Sequence, residues 1–310
     1  MGKHKAAKNG IGTLTQISRK WNMIFLVLLF IFAAVVIVPL LLVVIVSFSP
    51  EISIANRGYS FVPEYFTLQA YSYLIRTGDQ LLNSYIITIF YAAAGTVMSL
   101  AVMTLYAYVI CQRAFVFSRF LTWFLFFTML FGGGLVPSYV LNVRYLHINN
   151  TVWIFLLPSL MNAFYVIILR TFMKTTIPEA FLESAKIDGA GHFTIFMKIV
   201  LPLFKAGTAT VGLFNVVNRW NDWFTGMLYI EKPRLVPLQT MLIRLQNTID
   251  FLRQNAALAA TPDGIQLLRN MPSENIRMAI TLITILPMLC AYPFFQRYFV
   301  SGLTVGGIKE

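Results

Sequence analysis

Residues 170–205 read RTFMKTTIPEAFLESAKIDGAGHFTIFMKIVLPLFK, a polar island between two long apolar stretches. Thr176 and Glu179 stand at capping-box spacing, and Pro178 falls in a first helical turn, where its missing N–H is harmless. A short helix is therefore expected from about Ile177 through Ile187. Gly189 and Gly191 should stop it, because glycine readily takes the left-handed cap conformation. A second, amphipathic helix is expected from about His192 to Val200, ending at Pro202. The pair forms a helix–turn–helix with two possible roles. It either rests on lipid headgroups as an amphipathic connector, or it transmits force between a partner and the segments on either side.

Those flanking segments have the character of membrane spans. The 310 residues are 58% apolar, 15% aromatic and only 12% charged, against roughly 25% charged in an ordinary soluble domain. The mean hydropathy is +0.71. Too little polar surface remains to cover a water-soluble globule, which excludes a soluble enzyme and a disordered chain. A spanning helix needs ~20 largely apolar residues. Stretches poor in charge place spans at 22–48, 80–112, 119–143, 148–170 and 278–297. Lys205 and Arg219 enclose only 13 residues, too few to cross. The fifth span is therefore expected over 203–230, with Arg219 and Asp222 in its distal half. The expectation is an all-α membrane protein of six transmembrane helices, with the polar segment 171–202 between the fourth and fifth.

Charge decides the orientation. The tail 1–21 carries Lys3, Lys5, Lys8, Arg19 and Lys20, which marks its side as cytoplasmic. With six spans, the tail 298–310 lies on the same side. The segments then placed inside hold 14 Lys/Arg against 4 Asp/Glu, and those outside 10 against 8. The net charge of +12 is thus mostly an inner-face surplus, and no nucleic-acid partner is expected. The first span has 27 uncharged residues and no A-x-A site, whereas a cleaved leader has an apolar region of roughly 7–15. A retained anchor in the cell membrane is expected. Cys111 and Cys290 read as free thiols in a reducing compartment. The outer loops 49–79 and 231–277 are long enough to be functional; the second includes a helix-like stretch at 238–258. His147 and His192 stand alone, without metal-ligand spacing.

The run Glu183-Ser184-Ala185-x-x-Asp188-Gly189-Ala190, followed by Ile199-x-Leu201-Pro202, resembles the EAA loop of ABC-importer permeases. In that family Glu-Ala-Ala, three residues, Gly and then Ile-x-Leu-Pro recur at this spacing, also between the fourth and fifth of six spans. Ser184 replaces the second alanine, small for small. The end of the chain, SGLTVGGIKE at 301–310, is similar to the tail of the maltose-transporter-type second permease. Glu310 stands where that tail has glycine. FGGGLVPSY at 131–139 and RWNDWF at 219–224 resemble the lipo-oligosaccharide-type branch of carbohydrate permeases. The resemblance covers nearly all of the chain beyond about residue 20.

The resemblance implies a permease subunit without catalytic residues, importing a sugar or oligosaccharide. Its implied partners are a paralogous permease, two ATP-binding subunits and an extracytoplasmic solute-binding protein. ATP and magnesium would be held by the ATPase, in keeping with the lack of a G-x-x-x-x-G-K-[ST] loop in this sequence. Glu183, Ser184, Ala185, Asp188 and Gly189 would form the ATPase-coupling element, with Gly306, Gly307 and Lys309 as a tail contact.

Asn218, Arg219, Trp220, Asn221 and Trp223 are the candidate substrate path. Sugar ring faces stack on tryptophan, and hydroxyls bond to asparagine and arginine. An unpaired Arg219 facing the path would favour an anionic sugar. The alternative for the same run is an aromatic belt with an Arg219–Asp222 pair. Three rival functions remain. A permease for another small solute is the nearest. An ion-coupled secondary transporter would normally need more intramembrane carboxylates than Asp222. A membrane-embedded enzyme would need a catalytic cluster beyond Glu183 and Asp188.

Overall fold

The computed structural model of the chain describes residues 18–76, 78–255, 261–262 and 274–306. No strand occurs among them. The helices are α1 (Arg19–Ser47), α2 (Glu51–Arg57), α3 (Gln69–Arg76), α4 (Asp79–Cys111), α5 (Ser118–Leu130), α6 (Leu135–Tyr145) and α7 (Trp153–Leu156). They continue as α8 (Ala163–Thr176), α9 (Glu179–Ile187), α10 (His192–Leu203), α11 (Lys205–Trp220), α12 (Phe224–Tyr229), α13 (Leu238–Gln254) and α14 (Glu274–Gly306). Two compact units are formed, one from 1–73 with 272–282 and the other from 74–271 with 283–310.

In the first unit α1 is apolar on every side, and only Val46 and Ser47 are buried. A helix apolar all round that lacks protein cover has lipid as its natural solvent. It runs through Pro39 without ending. The segment after α1 folds back on it: Thr67 N–H donates to Phe48 O at 2.8 Å, and the Ser47 and Tyr71 hydroxyls are 2.8 Å apart. Glu51 caps the start of α14, its two carboxylate oxygens accepting from the N–H groups of Glu274 and Asn275, each at 3.3 Å. A carboxylate there satisfies N–H groups that no helical turn can reach and complements the helix dipole.

The second unit is built on α4, whose 33 residues extend roughly 50 Å. Serine, threonine and small residues recur along one side of it (Ser84, Thr88, Ala92, Gly95 and Ser99) and are all buried. They let α8 and α11 pack closely on α4. Around the inner part of this interface lies a core of Met103, Ala107, Val166, Leu169, Val200, Phe204 and Val211.

The uncharged stretches at 22–48 and 80–112 form single helices close to the expected bounds, whereas the next three segments are broken. The stretch 119–143 is split by Gly132–Gly134 into α5 and α6, at 109° to each other. That of 148–170 is divided around Pro158 into the short α7 and α8. The fifth stretch begins at α11, which meets α10 at 79°, and it stops at Trp220 before α12. Among the described residues three helices suffice by length and composition to cross a membrane, or five when each bent pair is taken as one span. Glycine explains the break at 132–134 and proline the one around 158, since each removes helical preference and proline also removes a hydrogen bond. The stretch 278–297 lies inside the longer α14, which continues to Gly306. Most of the tail 1–21, and Gly307 to Glu310, fall outside the described residues.

Candidate functional site: a projecting helix and a buried arginine

Helix α9 follows α8 after a two-residue corner of Ile177 and Pro178. The expected capping box does not form. Thr176 is the last residue of α8, Pro178 occupies the N-cap, and no side chain caps α9. Glu179 turns instead to Arg113 at 2.8 Å. Both groups are well exposed, so this pair contributes at most about 1 kcal/mol. The stop is as expected. Gly189 has φ +80°, Gly189 N–H donates to Lys186 O and Ala190 N–H to Ala185 O, each at 3.0 Å. These two bonds with a left-handed residue between them are a Schellman closure, and glycine is favoured there because any Cβ would strain the backbone.

Anchoring and exposure are divided by face. Ala185 is buried and Leu182 half-buried, both in the hydrophobic cluster that also holds Ile195, Phe196 and Val200 of α10. Phe181, Glu183, Ser184 and Ile187 point away from the core, with Phe193 of α10 exposed as well; Ile187 is 86% exposed. Under the helix is a cavity of about 360 Å³ between α4, α8 and α9, walled by Tyr108, Met173, Ile177 and Leu182. Of the coupling residues named from the sequence, four (Glu183, Ser184, Asp188 and Gly189) are exposed and Ala185 is the internal anchor. Gly306 ends α14, while Gly307 and Lys309 lie outside the described residues.

The second cluster is centred on Arg219, in the last turn of α11. Val211, Asn215 and Arg219 recur every four residues, so they share the face turned to α4. Arg219 is only 5% exposed. Its Nε donates to Asn215 Oδ1 at 2.7 Å and Nη1 to Phe155 O at 2.7 Å. Nη2 donates to Ser99 Oγ at 2.7 Å and to Ser159 O at 2.9 Å. Two of these acceptors are main-chain carbonyls at the break around Pro158. A broken helix in a membrane must find donors for its freed carbonyls, and a buried guanidinium must find acceptors. Here each need satisfies the other. The Arg219 main chain is held too, its carbonyl accepting from Tyr91 OH at 2.7 Å, with the Tyr91 ring stacked on Phe155.

The five candidate path residues do not form one surface. Arg219 and Trp220 point inward; Trp220 Nε1 donates to Thr284 O at 3.2 Å. Asn218 turns to α8, donating to Tyr165 OH. Asn221 and Trp223 are exposed at the turn leading into α12. Among the described residues no ion pair joins Arg219 to Asp222, whose Oδ1 instead accepts from Thr225 N–H at 3.0 Å. Sequence reading did not find Ser99 and Asn215, two of the residues that receive Arg219. The available signal was the run of small and hydroxyl residues along an uncharged helix, which marks a packed face.

A family model for the inner membrane component of binding-protein-dependent transport systems matches residues 110–305. The chain is 31% identical over 292 residues to the polygalacturonan/rhamnogalacturonan transport system permease protein YtcP of Bacillus subtilis (strain 168), covering 94% of this chain and 99% of that one. It is 35% identical over 276 residues to protein LplC of the same organism, covering 89% and 90%. A solved structure of a bacterial ABC transporter involved in the import of the acidic polysaccharide alginate contains a chain that superposes with a TM-score of 0.77 at 30% identity, covering 92% of this chain and 99% of that chain. The helix that projects at α9 and the broken spans tied by Arg219 are thus those of a transport subunit rather than an enzyme, and the chain belongs to the inner membrane components of binding-protein-dependent ABC importers.

Proposed function

We propose that the chain lines one half of the translocation path of an ATP-driven oligosaccharide importer, and that α9 is where a separate ATPase subunit drives it. The observation that carries this reading is the build of residues 179–190. Ala185 and Leu182 fasten the helix to the core, the Gly189 turn closes it, and Phe181, Glu183 and Ile187 are left outward. An exposed helix anchored through Ala185 and Leu182 in the cluster that holds Val200 of α10 and Val211 of α11 can pass a displacement on to them, because packed interiors transmit strain. In this reading the chain crosses the membrane six times, both termini are cytoplasmic, and α9 lies on that side. The assembly comprises a paralogous permease, two ATP-binding subunits that hold ATP and magnesium, and an extracytoplasmic solute-binding protein. Gly306, Gly307 and Lys309 supply a second ATPase contact.

The relatives named for polygalacturonan/rhamnogalacturonan and for alginate support an acidic oligosaccharide as cargo. Asn221 and Trp223, exposed at the turn after α11, are the best placed of the path residues to touch a sugar. Asn218 and Trp220 hold that turn in place. Arg219 acts on cargo through its field, because its donors are taken by neutral groups of the protein and, among the described residues, no carboxylate forms an ion pair with it. The test is uptake by proteoliposomes holding the purified importer and its binding protein. ATP-dependent uptake of labelled oligogalacturonate, exceeding that of a neutral oligosaccharide of equal length, is expected. Uptake that follows a pH or sodium gradient without ATP would reverse the assignment in favour of a secondary transporter.

A further inference from the structure

A second cavity, of about 380 Å³, opens beside the first between the Cys111 end of α4, the start of α5 and the last half of α8. Four cations line it, Arg113, Arg119, Arg170 and Lys174, and no acidic residue does. Glu179 answers Arg113 from outside the cavity. Among the described residues, Arg119, Arg170 and Lys174 have no carboxylate partner, and the buried Arg170 Nε has no hydrogen-bond acceptor. Ser118, the first residue of α5, and Thr122, one turn on, also line the space, so the positive end of a 13-residue helix adds to the field. Trp123 stands at the rim, and Phe120, Phe124 and Phe127 continue along α5 as exposed aromatic surface. The site therefore joins an unsatisfied cationic hollow to an apolar flank.

We infer that this hollow binds the phosphodiester headgroup of an anionic phospholipid, with the acyl chains lying along the aromatic side of α5. Three uncompensated cations at the end of membrane helices attract a monoanionic headgroup, and tryptophan is the side chain suited to the headgroup level. A zwitterionic lipid brings its own cation and meets no carboxylate there, so the site discriminates against it. A free phosphate ion matches the cations but makes no use of Trp123 and the phenylalanines beyond it. The inference rests on the reading of the chain as a membrane-spanning subunit and not on its cargo.

The test is native mass spectrometry of the importer, purified in detergent, delipidated, and then offered equal amounts of dioleoyl phosphatidylglycerol and dioleoyl phosphatidylcholine. Retention of the phosphatidylglycerol in preference is expected. The Arg119→Gln/Lys174→Gln double variant alters two exposed side chains, and it should weaken that retention by roughly fivefold for each charge removed. Arg119→Lys should behave as the unaltered protein, and so should Arg144→Gln, which changes an exposed cation outside the cavity. Equal retention of the two lipids, or undiminished phosphatidylglycerol retention in the double variant, would overturn the inference. Displacement of the lipid by millimolar inorganic phosphate would also overturn it and make the hollow a soluble-phosphate site. Failed sugar uptake with intact lipid selectivity would count against the proposed cargo alone.

Discussion

The guanidinium of Arg219 occupies the space that a side chain at Gly95 would need. A Cβ there would collide with Nη1 and Cζ of the arginine. The arginine cannot retreat, because four hydrogen bonds to Asn215, Phe155, Ser99 and Ser159 fix it. Gly95→Ala should therefore destabilise the protein by about 1–3 kcal/mol, the usual cost of overpacking. Its melting temperature in detergent should fall, and Gly95→Ser should be at least as costly.

Replacing Arg219 itself removes the charged donors at the break around Pro158, leaving the Phe155 and Ser159 carbonyls to the hydroxyls of Ser159 and Ser99. Lysine keeps the charge but cannot bridge acceptors on three segments at once. Arg219→Lys should cost about 1.5–3 kcal/mol, the range for hydrogen bonds to charged groups. Thermal unfolding should register this loss, and uptake should fall, while co-purification of the ATPase remains intact. An unchanged melting temperature would show that the Ser159 and Ser99 hydroxyls, which donate to the same two carbonyls, suffice.

A Cβ at Gly189 would meet nothing within 4 Å, so the cost of substitution is conformational, not steric. Gly189→Val should cost roughly 1–2 kcal/mol and disorder the end of α9. Gly189→Asn should be milder, asparagine tolerating the left-handed region. Substrate-stimulated ATP hydrolysis in proteoliposomes should follow the order Gly, Asn, Val.

Glu183 makes no ion pair among the described residues and lies on the exposed side of α9. Glu183→Ala should change the stability of the chain by no more than about 0.5 kcal/mol, as surface substitutions do. On the proposed coupling role it should nevertheless lower transport per ATP hydrolysed. Normal transport by this variant would remove Glu183 from the coupling element.

Much of the organisation was legible because membranes impose simple rules. Charge-free runs long enough to cross marked α1 and α4, and the glycine pair after Ile187 marked the end of α9. The breaks at Gly132–Gly134 and near Pro158 were visible as residues, but their consequences were not. Whether proline kinks a helix or divides it depends on which neighbour supplies the missing hydrogen bonds, here Arg219 from α11. The inward turn of Arg219 was hidden for the same reason. Sequence spacing places a charge on a helix face without saying which face is buried, and the receiving groups lie about 60 and 120 residues away. The lost capping box is a smaller case of the same kind: the exposed Glu179 carboxylate took an arginine instead of a local N–H.

The role assigned to α9 is tested most directly by the mass and composition of the assembly that mild detergent releases from native membranes. One copy of this chain, one homologous permease and two copies of an ATP-binding subunit are expected. Recovery of the chain alone, or as a homo-oligomer, would contradict that role.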